Sequence, residues 1–195
     1  MRAALLLCLL PIPALAEDCT DRAREALGAV MFDGQPYSSE TEMSFGTQVT
    51  KSVFDWKADD HFRTTSVEPE GSPDSLYYQG VYYGSTEDGG WSESNRMDAG
   101  ELKAQADEMR NTMAEKLVSA DCQPVDRDGA SFEAMTMGIA QHEPYESDII
   151  VTRLYDAEGQ LTAVASSYMM QGQEVSVRQN LTPAPDLDLP VPSGD

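Results

Sequence analysis

The side chains able to do chemistry are few and scattered. Ten methionines occur in 195 residues, and Met135 and Met137, one residue apart, would present both thioethers on one face of a strand. Thioethers are soft donors that suit Cu(I), with imidazole from His61 or His142 as a helper, so this pair is a candidate copper site. Its competing role is that of a flexible filler in an apolar core. The run His142-Glu143-Pro144-Tyr145-Glu146 begins like the HExxH helix of zinc proteases, but it has no second histidine, and Pro144 breaks the helix that spacing requires. Asp59-Asp60-His61 reads as a polar turn. The chain contains no GxSxG and no SxxK, and no acid–base pair stands out among 34 acidic residues. These residues specify no reaction, and the sequence predicts a protein that is not an enzyme and needs no cofactor. Tyr77, Tyr78, Tyr82, Tyr83 and Trp91 could border a ligand mouth, because each joins apolar area to a polar tip; on strands only alternate members face the same way.

The three cysteines divide by position. Residues 1–16 carry Arg2, an apolar run from Ala3 to Leu10 and a small-residue end at Ala14-Leu15-Ala16, the layout of a secretory leader with cleavage expected after Ala16. Cys8 leaves with that leader. The remaining pair, Cys19 and Cys122, is then expected to form one structural disulfide in an oxidising compartment, the bacterial periplasm or the exterior. It closes a loop of about 100 residues, worth roughly 4–5 kcal/mol in the chain-entropy description. A redox role would call for CxxC spacing, which is absent. Thirteen basic against 34 acidic residues give a net charge of -21, and the cations lie singly. Phosphate backbones need clustered Lys and Arg, so a nucleic-acid partner is excluded and an anionic membrane surface disfavoured. Nor does any later segment reach the ~20 apolar residues of an integral membrane span.

Periodicity supplies the elements meant to position these groups. Ala23, Ala26, Leu27, Val30 and Met31 recur at steps of three and four, predicting a helix over residues 20–32 that Asp33-Gly34 ends. Asp98 with Glu101 has the spacing of a capping box, and Leu102, Ala106, Met109, Met113 and Leu117 then share a face, predicting a helix over 99–119. The cysteines flank these helices, so the disulfide is expected to tie one to the other. Residues 43–56 alternate, with Met43, Phe45, Val49 and Val53 on one side before the phase shifts to Phe54 and Trp56, which reads as a strand with a bulge near Val53 or as a strongly bent strand. Further strands are expected over 61–68, on either side of Gln79-Gly80, after Gly89-Gly90, and over 131–141, 148–155, 161–171 and 174–181. The order is helix, four or five strands, helix, four strands. The expected fold class is α+β: a curved antiparallel sheet, an unclosed half-barrel, whose concave face two helices cover. Residues 17–181 form its one domain, and residues 182–195, acidic and Pro-rich, are expected to be a flexible tail.

This order resembles the bacterial lipoprotein-carrier fold of the LolA/LolB and LppX/LprG type. The resemblance is carried by Phe62-Arg63, by Leu76-Tyr77-Tyr78-Gln79-Gly80-Val81-Tyr82-Tyr83 with Gly90-Trp91 after it, and by residues 149–155, 156–159 and 161–168. It implies an open barrel wrapped around helices, with apolar space between them that accepts acyl chains. The ligand class expected is therefore a lipid or acyl chain, lined by Phe45, Val49, Leu76, Tyr78, Met109, Met113, Ile149 and Val151. Two other readings compete: copper handling at Met135 and Met137, and a ligand-free interaction module that shows a partner an exposed apolar patch.

Overall fold

The computed structural model describes residues 14–192, with side chains from Cys19 onward. Most of the expected leader, with Cys8, lies outside the described residues; its last three positions begin the first helix. The element order is α1 (Ala14–Gly28), a 3-10 turn (Met31–Gly34), β1 (Tyr37–Phe45), β2 (Gln48–Ala58), β3 (His61–Glu68), β4 (Ser75–Tyr78), β5 (Val81–Ser85), β6 (Trp91–Arg96), α2 (Ala99–Glu115), β7 (Leu117–Arg127), β8 (Ala130–Ile139), β9 (Ile149–Tyr155), β10 (Leu161–Met170) and β11 (Gln173–Pro183). All eleven strands form one sheet in the order β6-β5-β4-β3-β2-β1-β11-β10-β9-β8-β7. Two meanders are thus joined where the first strand pairs antiparallel with the last, and β6 and β7 are left as the open edges. The molecule is the expected α+β half-barrel.

Tight turns set the register. Gln79-Gly80, Asp128-Gly129 and Gln171-Gly172 each have positive φ at both residues and join strands directly paired on either side, at Tyr78 with Val81, Arg127 with Ala130 and Met170 with Gln173. Two left-handed residues in a row give the turn whose twist matches a sheet, and glycine at the second position makes it cheap. A similar two-residue link corrects the reading of residues 43–56. They are not one strand but a hairpin, with Phe45 paired to Gln48 across Gly46-Thr47, and an irregularity near Val53 is present where β2 shifts register against β3 between Lys51 and Ser52. Gly46 has φ 58, where glycine is favoured, and a Cβ there would press on the Gln173 side chain, which would have to move aside. Across that turn the positions sharing the face of Met43 and Phe45 pass from odd to even, so Phe54 and Trp56 join them while Val49 and Val53 face away.

Both helices end earlier than their apolar spacing predicts. α1 stops at Gly28, and Phe32 and Asp33 take left-handed conformations, so Val30 and Met31 leave the helical stripe to line the sheet's interior. Asp98 caps α2 by accepting hydrogen bonds from the backbone N–H groups of Gly100 (2.8 Å) and Glu101 (3.2 Å). The helix ends at Glu115 because Leu117 already pairs with Ile139 as the start of β7. β7 is an edge strand, polar and mostly exposed, with Pro124 inside it; only an edge tolerates proline, and such a strand has no apolar alternation to betray it. Five strands, not four, therefore follow α2, and six precede it.

Ala23 and Leu27 of α1 pack on Met135, Met137, Ile139, Ile149 and Val151 of β8 and β9 to form one core; a second gathers Tyr37, Leu161 and Leu181. Burying a leucine such as Leu27 contributes about 1.5–3 kcal/mol. Cys19 and Cys122 are bonded across 103 residues with Cα atoms 5.9 Å apart. The bond ties α1 to β7 rather than to α2, so the edge strand, not the second helix, is what it secures. Past β11 the chain turns over the outer face: Leu189 is 4% exposed, the Pro190 carbonyl accepts from His61 Nε2 at 3.1 Å, and Asp188 pairs with Lys57 at 3.6 Å. The part of the Pro-rich segment described, up to residue 192, thus lies against the sheet.

Candidate functional site

Register determines what faces inward. Tyr37 stands opposite Trp56, Trp56 opposite Phe62 and Phe62 opposite Tyr77, so these four rings lie in one row across β1 to β4 on the helix-bearing face. Phe62 and Tyr77 stack at 4.8 Å, and Tyr37 and Trp56 at 5.7 Å. The other half of the sheet contributes Ile149, Val151 and Arg153 from β9 and Val164, Ser166 and Tyr168 from β10, alternate residues that share a face. α2 is strung between the two halves. At its start the Met97 carbonyl accepts from Tyr77 Oη at 2.8 Å; just past its end the Lys116 carbonyl accepts from the Ala140 N–H at 2.8 Å.

The space enclosed is a cavity of about 510 Å³, partly open to solvent, bordered by α1, α2 and both halves of the sheet. Phe62 on β3 and Ile149 on β9 both line it although four strands separate them, a span of roughly 24 Å if the sheet were flat. The sheet must therefore curve around the helices. Leu102, Ala106, Met109 and Met113, the apolar stripe of α2, face this space. No residue of α2 is fully buried, and Met109 remains 53% exposed. A stripe of that kind normally seals against a neighbour; here it forms the wall of an open volume, of a size usual for small-molecule sites.

Four of the residues expected to line a ligand, Met109, Met113, Ile149 and Val151, border this cavity, and four do not. Phe45 lies on the inner row, opposite Val175, but at the far end of β1. Val49 faces outward and is 49% exposed, because the hairpin at Gly46-Thr47 reverses the parity of β2 relative to β1. Leu76 and Tyr78 also belong to the outer face, opposite Arg63 and His61. Leu76 is fully buried there, Tyr78 meets the His61 ring edge-on at 4.8 Å, and Arg63 donates to Asp55 at 2.7 Å. Lining residues that were not anticipated include Tyr37, Trp56, Phe62, Arg153 and Val164. Continuing the alternation of Ile149 and Val151 by one step would have reached Arg153, whereas the ring row needed the pairing of four strands.

The copper candidates are elsewhere. Met135 and Met137 share a face as expected, but both are buried in the core under α1. His61 is engaged with Pro190 on the outer face, and His142 donates through Nδ1 to the Ala140 carbonyl at 3.0 Å. Glu143 and Pro144 lie in the loop between β8 and β9, with no helix. Among the described residues, no three His, Cys, Asp or Glu side chains converge to hold a metal ion, and no helix is long and apolar enough to cross a membrane.

No family model matches this sequence, and no curated protein does. Solved structures do match by shape. LprF from Mycobacterium bovis superposes with a TM-score of 0.54 over 94% of this chain and 99% of its own, at 11% identity. The lipoprotein LppX of Mycobacterium tuberculosis gives 0.55 over 84% and 94%, at 13% identity. The chain therefore has the fold of these mycobacterial proteins, the LppX-type half-barrel that its element order resembles.

Proposed function

We propose that the protein binds an apolar ligand, a lipid or acyl chain, in the cavity between α2 and the curved sheet, and carries it without making or breaking a bond. The observation that carries this reading is the α2 stripe, whose Leu102, Ala106 and Met109 border open volume, while Met113 lines the same space at the end where it packs on the core under α1. Each methylene moved from water into such a space contributes about 0.8 kcal/mol, enough for useful affinity without chemistry. Further support comes from the acyl-binding role implied by the family resemblance and from a fold shared with a lipoprotein. The leader and the Cys19–Cys122 bond favour the bacterial periplasm or exterior as the place of action. The test is native mass spectrometry of protein exported with its own leader and purified without detergent. Adducts of several hundred daltons that disappear on delipidation are the expected result; a bare polypeptide mass that also fails to take up added fatty acid would overturn the reading.

A further inference from the structure

The charge around the cavity is opposite to that of the protein. Among the described residues one acidic side chain, Asp59, borders it, against three basic ones, Lys103, Arg110 and Arg153. Two of these cations are already answered: Lys103 and Arg110 both bind the Asp107 carboxylate one turn away on α2. Arg153 is not. Among the described residues it has no ion pair; its Nη1 donates to the Ala26 carbonyl at 2.6 Å, at the end of α1, and its Nε is buried without a partner. One carbonyl uses one of five guanidinium donors. A cation half withdrawn from water and missing hydrogen bonds is costly to leave unanswered. In a chain of net charge -21, carboxylates are abundant, yet among the described residues none forms an ion pair with it, although Asp59 borders the same cavity.

We propose that Arg153 receives the anionic headgroup, a carboxylate or phosphate, of an amphiphile whose chain lies against the Trp56, Phe62, Met109 and Met113 wall. This rests on the apolar-ligand reading above and names the ligand class for the same site. Planar guanidinium groups bind such oxyanions through paired donors, and the bond strengthens where water is scarce. Gln179 and Ser166 border the same space and are polar but uncharged, so they do not compete with the anion.

The experiment titrates the delipidated protein at neutral pH with hexadecanoate, hexadecyl phosphate and hexadecanol, three probes with one chain and different heads. At least one anionic probe is expected to bind about tenfold or more tighter than the alcohol, the size of effect charge-assisted hydrogen bonds produce. The tighter of the two identifies the headgroup as carboxylate or phosphate. Arg153→Gln should abolish the preference while alcohol binding stays within about twofold, and Arg153→Lys should keep part of it. Equal binding of all three by the native protein, or a preference that survives Arg153→Gln, overturns the headgroup assignment and leaves the apolar site standing. Failure of all three to bind removes the apolar site itself. Should Arg153→Gln not fold, the native ratio and that of Arg153→Lys decide, a ratio near one in the native protein refuting the proposal.

Discussion

Tyr37 shows how a single side chain can serve both core and cavity. It is buried among Leu161, Leu181 and the Trp56 ring, and burial pushes its phenol up to about 12 from the ordinary 10.0. The neutral form is therefore the one the fold prefers. Its contribution is complete below about pH 10 and is lost as the pH rises through about 12, a difference of roughly 2–3 kcal/mol. Urea unfolding of the native protein should show that alkaline loss, and Tyr37→Phe should show less of it. A residual loss is expected in the variant, because burial also raises the Tyr77 and Tyr168 phenols. Identical alkaline profiles for the two proteins would refute the assignment. The inward position of Tyr37 was not readable from its neighbours, since Tyr-Ser-Ser-Glu has little apolar alternation; its place follows from pairing with Trp56 on one side and Pro183 on the other.

Among the elements, β7 departs furthest from expectation. Its sequence is that of a solvated loop, and it stands as a strand because β8 pairs with it on one side and the disulfide holds it to α1. Replacing Cys19 and Cys122 together by serine should lower stability by roughly 4–5 kcal/mol in the chain-entropy description, read as a lower urea midpoint. Backbone amides of β7 should then exchange with solvent faster than those of β10, which sits between two neighbours. Uniform acceleration across the sheet would show instead that the bond acts only on the unfolded chain. α2 is the converse case: its start and stripe were legible because a cap and a period of 3.6 are local properties, while its end was not, because Leu117 continues the stripe yet belongs to β7.

For the whole molecule, the surface charge and the cavity pull in different directions. With 34 acidic residues against 13 basic, the folded state repels itself, and added salt should relieve this as the screening length falls from about 10 Å at 0.1 M to about 3 Å at 1 M. The melting temperature of the delipidated protein should therefore rise with sodium chloride; a flat or falling response would mean that local ion pairs such as Arg22 with Glu133 outweigh the net field. Bound ligand should add stability by mass action, about 2.7 kcal/mol at a hundred times its dissociation constant. The two effects separate experimentally, since only the second depends on ligand concentration.

Most of the parts were legible in neighbouring residues: many of the antiparallel strands through period-two alternation, the hairpins through Gln79-Gly80 and Gln171-Gly172, the cap of α2 through Asp98, and the disulfide through an isolated pair of cysteines. These are properties of a few neighbouring residues, or of a count. Which side of each strand faces the cavity depends on the tertiary pairing, because a two-residue hairpin switches strand parity whereas the longer β8–β9 connection keeps it: the Gly46-Thr47 turn places Phe45 inside and Val49 outside. Tertiary pairing likewise decided that residues 117–127 form a strand, that Leu189 lies buried against the outer face, and that Met109 borders open space while Met135 is sealed in a core. The physical reason is common to all of them. Local periodicity says that a residue wants a partner, and only the curvature of an eleven-stranded sheet around two helices says whether that partner is protein, water or a ligand.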